Sequence, residues 1–283
     1  MFFKSEEGKA QTLKLYQQKL DQLNILYAER LVNTSFGTTN VIITGEKNLP
    51  PIFLIHGTGG CAPQILESLP KLSTKYCVYA IDTLAQPNKS AEDKLDMKNL
   101  DYGKWIIELI QHFKLKEVTL VGFSFGGLIS LKTLEFNEDP IKEVFLIAPV
   151  YLVNGNPFKN LFQVFFPLKN FIKTGNPKKI RKVLNALFSE YDDFALKFMS
   201  ATFLNCNMDF SPLPILKKKE AQNIQTPITI FACEDDIMFP GRKMIKRAKA
   251  IFKSSKELIL LENSKHVPGR VHFEMIQSTI LNA

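Results

Sequence analysis

Gly122-Phe123-Ser124-Phe125-Gly126-Gly127 stands between an apolar strand-like run, Val118-Thr119-Leu120-Val121, and a helix-like run, Leu128-Ile129-Ser130-Leu131-Lys132-Thr133-Leu134. A serine needs help to become a nucleophile. A sharp strand-to-helix turn gives part of it: the hydroxyl projects into a site and a backbone N–H lies ready beneath it. Such a turn crowds its neighbours, and glycine two residues before and two after the serine relieves the clash. Ser124 is therefore the candidate nucleophile.

A serine of this kind requires an oxyanion hole, a base and an acid that orients the base. Pro51-Ile52-Phe53-Leu54-Ile55 is a continuous apolar run, which suits a strand buried on both faces. It ends in His56-Gly57-Thr58-Gly59-Gly60, where glycines let the backbone approach a substrate. The amides of Thr58 and Phe125 are the expected oxyanion donors, with His56, Gly57 and Gly59 shaping the loop. Of the four histidines, His56 belongs to that loop. His112 closes an amphipathic run, and His272 falls in a final helix-like stretch. His266 lies in Asn263-Ser264-Lys265-His266-Val267-Pro268, directly after the strand-like Glu257-Leu258-Ile259-Leu260-Leu261. Loops at the C-terminal ends of parallel strands handle ligands, so His266 is the expected base, with His272 as its competitor. For the acid, Pro227-Ile228-Thr229-Ile230-Phe231-Ala232 runs into Cys233-Glu234-Asp235-Asp236-Ile237-Met238-Phe239-Pro240, and Asp235 and Asp236 compete.

Taken together these segments resemble the α/β-hydrolase family. The order serine, acid, histidine is that family's order. GFSFGG resembles its elbow, HGTGG its oxyanion loop, and NSKHVP the segment bearing its base. CEDDIMFP resembles the acid segment G-x-x-D-x-x-x-P, which places Asp236 and Pro240 on the matching positions and favours Asp236 as the acid. There are departures. Cys233 replaces a glycine of the acid loop, and Lys265 one often found before the histidine. Ile81 to Ser90 resembles a D-x-x-G-x-G-x-S loop with both glycines lost. The resemblance implies an α/β fold: a mostly parallel, doubly wound sheet with an inserted helical cap. It implies a serine hydrolase with no cofactor and no metal.

The alternation of strand-like and helix-like runs carries the same fold class independently. Strands are expected near residues 40–44, 51–56, 77–81, 118–122, 144–148, 227–232 and 257–261. Leu13, Tyr16, Leu20, Leu23, Tyr27 and Leu31 follow steps of three and four, which predicts one helix over residues 9–31. Between residues 151 and 219 the alternation stops. That stretch holds ten of the chain's 23 phenylalanines and reads as a helical cap over the site. Phe158, Phe162, Phe165 and Phe166 are the expected pocket residues, with Asn154–Pro157 and Ser211–Pro214 as hinges. The expected division is an N-terminal helix at 1–35, core at 36–150, cap at 151–219 and core at 220–283.

The chain has 283 residues, 45% hydrophobic, and a formal net charge of +8. No apolar run of about 18 residues occurs and no signal-like leader opens the sequence, so no stable membrane insertion is expected and the cytoplasm is the expected location. Lysine clusters stand at 178–182 and 217–219 without aromatic stacking motifs, which argues against a nucleic-acid partner. They read either as solvated faces or as attraction to an anionic substrate or membrane surface. The cysteines at 61, 77, 206 and 233 have no metal-binding spacing; Cys61 is expected to be reachable by thiol reagents. The expected partner is a small or medium apolar ester, and the expected assembly a monomer or homodimer. Lactones, thioesters or carbon–carbon bonds are alternative substrates on the same fold, and a triad-bearing receptor is the alternative outside enzymes.

Overall fold

The computed structural model describes residues 1–283. An eight-stranded sheet forms the centre: β1 (Tyr27–Thr34), β2 (Gly37–Thr44), β3 (Pro51–Ile55), β4 (Cys77–Ile81), β5 (Val118–Phe123), β6 (Ile141–Ile147), β7 (Ile228–Cys233) and β8 (Ser255–Leu261). Their spatial order is β1-β2-β4-β3-β5-β6-β7-β8. The β1–β2 and β2–β4 pairs are antiparallel and all others parallel. The chain leaves β3 toward β4 on one side and returns to β5 on the other. The C-terminal ends of β3 and β5 thus flank the point where winding reverses, which is where an open sheet leaves a crevice.

Helices cover both faces. They are α1 (Glu6–Gln22), α2 (Ala62–Ser68), α3 (Asp101–His112), α4 (Phe125–Phe136), α5 (Pro157–Asn160), α6 (Phe166–Thr174), α7 (Pro177–Leu187), α8 (Asp193–Asn205), α9 (Lys218–Ala221), α10 (Gly241–Ile251) and α11 (Arg270–Leu281). A π-helical turn, Leu161–Phe165, joins α5 to α6. β3 is apolar at every position, and β5 and β7 at nearly every position, because alternate side chains enter two different cores. Phe53, Ile55, Leu120 and Val144 pack with Trp105 and Ile106 of α3 and Leu128 of α4. Ile52, Leu54, Val121 and Phe145 pack with Tyr16 and Leu20 of α1, Ile65 of α2 and Ile276 of α11.

The N-terminal region corrects the single helix expected over residues 9–31. The helix α1 begins after Ser5, whose hydroxyl accepts from the Gly8 amide, and ends at Gln22. Tyr27 and Leu31 instead belong to β1, paired with Thr44 and Asn40 across a hairpin that turns at Gly37. A spacing of four residues is one helical step and also an even number, so it puts two side chains on one face of a helix or a strand alike. Leu31 is 67% exposed, as an edge strand permits. Residues 1–35 are therefore a helix followed by a strand of the main sheet.

Helical structure between β6 and β7 runs from Pro157 to Ala221. Val150, Tyr151 and Leu152 before it, and Leu216, Ala221 and Ile224 at its end, still pack in the sheet's own core. The boundary expected at 219 falls inside α9. A smaller core is separate: Leu168 and Phe171 of α6 meet Ile180, Val183 and Leu184 of α7 and Phe203 of α8.

The insert is attached to the chain's beginning. Backbone bonds run from the Lys4 amide to Asn205 O (2.8 Å) and from the Asn207 amide to Phe2 O (2.8 Å). Tyr16 on α1 reaches into the sheet, where its hydroxyl accepts from Asn40 Nδ2 at 3.1 Å. Tyr16→Phe should therefore lower the unfolding free energy by about 1 kcal/mol, measured by urea denaturation, because the buried amide loses a partner.

Candidate active site

Ser124 sits between β5 and α4 with φ 51° and ψ −108°. That backbone is strained for a residue with a side chain. It is held by three bonds: the Ser124 amide donates to Ile147 O (2.9 Å), and Ser124 O accepts from the Gly127 amide (2.9 Å) and the Val150 amide (3.0 Å). The flanking glycines are steric requirements. A Cβ at Gly122 would collide with the Gly126 carbonyl, and one at Gly126 with the Ile55 carbonyl at the end of β3.

Three side chains from three separate loops meet at this point. His266 Nε2 lies 2.9 Å from Ser124 Oγ, and His266 Nδ1 lies 2.7 Å from Asp236 Oδ2. The second carboxylate oxygen, Asp236 Oδ1, accepts from the Met238 amide (2.7 Å) and the Phe239 amide (3.0 Å). Both oxygens of Asp236 are thus engaged, so the carboxylate is fixed in position and accepts from the imidazole N–H. All three residues are buried. The rings of Phe123 and Phe239 stand 5.7 Å and 5.3 Å from the imidazole and shield it from water. Asp235, the competing acid, is exposed and contributes its amide to Ser264 O at 2.9 Å. His272 is half-buried and bonded to Glu262 O at 3.0 Å; His112 ends α3 at the surface.

The loop after β3 is built around a buried His56. Its Nδ1 donates to Gly57 O (2.8 Å) and its Nε2 accepts from the Thr83 amide (3.1 Å), which requires the neutral ring. Burial lowers its pKa to about 4. Asp82 supports the same loop by accepting from the Ala62 amide (2.8 Å) and Asn40 Nδ2 (2.9 Å), and burial pushes its carboxyl up to about 6. Gln86 was not singled out from the sequence. Its Oε1 accepts from the Gly59 amide at 2.8 Å, so that N–H is engaged away from any substrate. The Thr58 amide takes no backbone acceptor, and Phe125, as the first residue of α4, has an amide with no partner inside its helix.

Two expectations are corrected here. Phe158, Phe162, Phe165 and Phe166 do not form an enclosed pocket: they are 71%, 61%, 38% and 46% exposed. The insert's residues nearest the oxyanion loop are Met199 and Thr202 of α8 and Met208, which lie within 3.7 Å of the position a Cβ on Gly59 would take. Methionines carried no helical or strand signal that would have marked them. Cys61 is fully buried at the start of α2, with its pKa raised well above the usual thiol value by burial, and all four cysteines are free and buried.

The sign of the His56 effect can be tested. Its folded pKa lies below the free imidazole value of about 6.5, so the unfolded chain takes up the proton first as pH falls. Stability is lost from about pH 6.5 down to about pH 4. The stability advantage of the wild type over His56→Asn should narrow by about 3 kcal/mol between pH 7 and pH 4 in urea denaturation. A constant difference would mean the folded ring titrates like a free one.

Residues 50–173 match the family described as alpha/beta hydrolase fold. The chain is 22% identical over 273 residues to a Bacillus subtilis protein named uncharacterized carboxylesterase nap, covering 94% of this chain and 88% of that protein. It is 22% identical over 293 residues to carboxylesterase YbfK of the same organism, covering 96% and 95%. The crystal structure of naproxen esterase (carboxylesterase NP) from Bacillus subtilis superposes with a TM-score of 0.86 at 18% identity, over 99% of each chain. With the strand order, the serine turn at the winding reversal and these matches in agreement, the chain has the α/β-hydrolase fold.

Proposed function

We propose that the chain hydrolyses small or medium apolar carboxylic esters through an acyl-serine intermediate. The observation that carries this reading is the unbroken hydrogen-bonded relay from Ser124 Oγ through His266 to Asp236. His266 takes the hydroxyl proton as Ser124 Oγ attacks the ester carbonyl, and Asp236 holds the imidazolium that forms. The carbonyl oxygen gains negative charge and is received by the amides of Thr58 and Phe125, each typically worth about 3 kcal/mol of barrier. His266 then protonates the departing alcohol, and acyl-Ser124 remains. Water enters, gives its proton to the same imidazole, and releases the acid.

Ester substrates are supported by the relatives named carboxylesterases, nap and YbfK. An apolar preference is supported by the phenylalanines beside the imidazole and the methionines beside the oxyanion loop. Those side chains offer little to hydrogen-bond a polar acyl group, whereas hydrocarbon loses no polar contact on entering.

The test is turnover of a p-nitrophenyl ester series of increasing acyl length. Wild type should turn over repeatedly, with Ser124→Ala slower by about 10⁴-fold or more and Asp236→Asn by about 10³- to 10⁴-fold in kcat. A fluorophosphonate probe should label Ser124 and leave the alanine variant unlabelled. The rate should rise with pH as the imidazole loses its proton; a flat profile from about pH 5 to about pH 9 would show that no histidine acts as base.

A further inference from the structure

We propose that the outer face of the helical insert is a docking surface for anionic lipid. The helix that begins at Pro157 and ends at Thr174 has two unlike faces. Phe158, Phe162, Phe165, Phe166, Lys169 and Lys173 fall on the exposed side, and Leu168 and Phe171 fall on the buried side. Burial follows that division: Leu168 and Phe171 are 4% and 2% exposed, whereas Phe158 and Phe162 are 71% and 61% exposed. Phe162, Phe165, Phe166 and Phe210 form one array rather than scattered residues. Ring centroids are 5.5 Å apart for Phe162–Phe166, 6.0 Å for Phe165–Phe166 and 6.1 Å for Phe165–Phe210. Phe210 is itself 53% exposed. Contiguous exposed aromatic surface on this scale marks an interaction site.

Charge says what kind of partner it fits. The next helix, α7, turns its Ile180, Val183 and Leu184 to the shared core and puts Lys178, Arg181 and Lys182 in solvent. Between Glu143 and Glu190 the chain contains no acidic residue. Lys159, Lys169, Lys173, Lys178, Lys179, Arg181 and Lys182 enter no ion pair within the chain. Phenylalanine at the centre of a helix face with lysine along and around it is the composition of an interfacial helix: rings enter the acyl boundary and lysines remain at the phosphates. No helix is long and apolar enough to cross a membrane, so the contact is peripheral.

The surface also has a place relative to the site. Phe171 and Val164 pack with Phe203, Met199 and Met208, and the two methionines stand over Gly59 of the oxyanion loop. One packed layer separates the docked face from the oxyanion loop. If Ser124 acts as proposed above, esters dissolved in the bilayer become its substrate class.

Binding and catalysis can be separated by using Ser124→Ala for the binding test. The protein is sedimented with vesicles of phosphatidylcholine alone, or of phosphatidylcholine with about 30% phosphatidylglycerol, in low and in high salt. Strong co-sedimentation with the anionic vesicles, reduced by salt and weak on phosphatidylcholine alone, is expected. A Phe158→Ser/Phe162→Ser double variant and a Lys178→Glu/Lys182→Glu double variant should each weaken it by about tenfold or more. In the Ser124 background both should hydrolyse a short soluble ester within about twofold of wild type, which shows that they remain folded. Absence from anionic vesicles, or equal salt-independent binding to both vesicles, overturns the proposal. So does a dimer in sedimentation that the phenylalanine variant disperses, because the rings would then be covered by a second copy. Vesicle binding without ester turnover would leave docking standing and remove the hydrolase reading; turnover without vesicle binding would do the reverse.

Discussion

The close approach of two backbones, at Gly126 of α4 and Ile55 of β3, is the constraint from which the site follows. No side chain fits between them. Because β3 and β5 pair in parallel, with Ile55 opposite Gly122, the chain leaving β5 must turn at once against the loop leaving β3. That turn forces Ser124 to a positive φ and puts its hydroxyl beside His56–Gly60. The strain is met by the three backbone bonds to Ile147, Gly127 and Val150, so the turn is over-determined by its surroundings. Ser124 and the His56–Gly60 loop are neighbours because adjacent strands end at the same level.

The oxyanion loop has its own foundation. His56 fills its interior as a neutral ring, and Asp82 fixes the start of α2 through the Ala62 amide. Asp82 in turn shares Asn40 with Tyr16, so α1 is joined to the loop through hydrogen bonds rather than through packing alone. Gln86 completes the arrangement by taking the Gly59 amide. In the mechanism proposed, a free N–H there would compete with the Thr58 amide for the developing negative charge. The side chain that removes the competition comes from the segment where two expected glycines are missing, and Ala85 in that segment still holds φ 51°. The Ala85 amide donates to Ala91 O at 2.9 Å, which helps hold that positive φ without a glycine.

The fold and the three meeting side chains were legible because each rests on local chemistry. Glycines at fixed distances from a serine, apolar runs of strand length and a histidine just past a strand are all visible within a few residues. Asp236 could be separated from Asp235 only through the family pattern. In space the difference is that Asp236 caps its own turn with Oδ1 and leaves Oδ2 free for His266. The errors arose where one pattern serves two structures. Tyr27 and Leu31 satisfy a helix and a strand equally. Phenylalanine enrichment suggests an enclosed pocket, yet enrichment alone does not say which face of a helix is buried. The polarity of the residues between them would have helped: Lys169 and Lys173 share a face with Phe158, Phe162 and Phe165, and a face bearing lysines is seldom a core.

The insert's attachments bear on how substrate reaches Ser124. Asn154–Pro157 reads as a hinge from its turn-rich sequence, but the Gly155 amide donates to Met238 O at 2.6 Å, and a Cβ there would strike the Ile237 carbonyl. Met238 also gives its own amide to Asp236. Swinging the insert about Gly155 would therefore disturb the loop that orients the acid. Further along the insert, α8 is followed by Cys206, which pairs with Phe3 in an isolated backbone bridge, so the N-terminal segment holds the insert there as well. With the insert bonded at Gly155 and at Cys206, rigid-body opening costs backbone hydrogen bonds, whereas rotation of Met199 and Met208 costs only dispersion contacts.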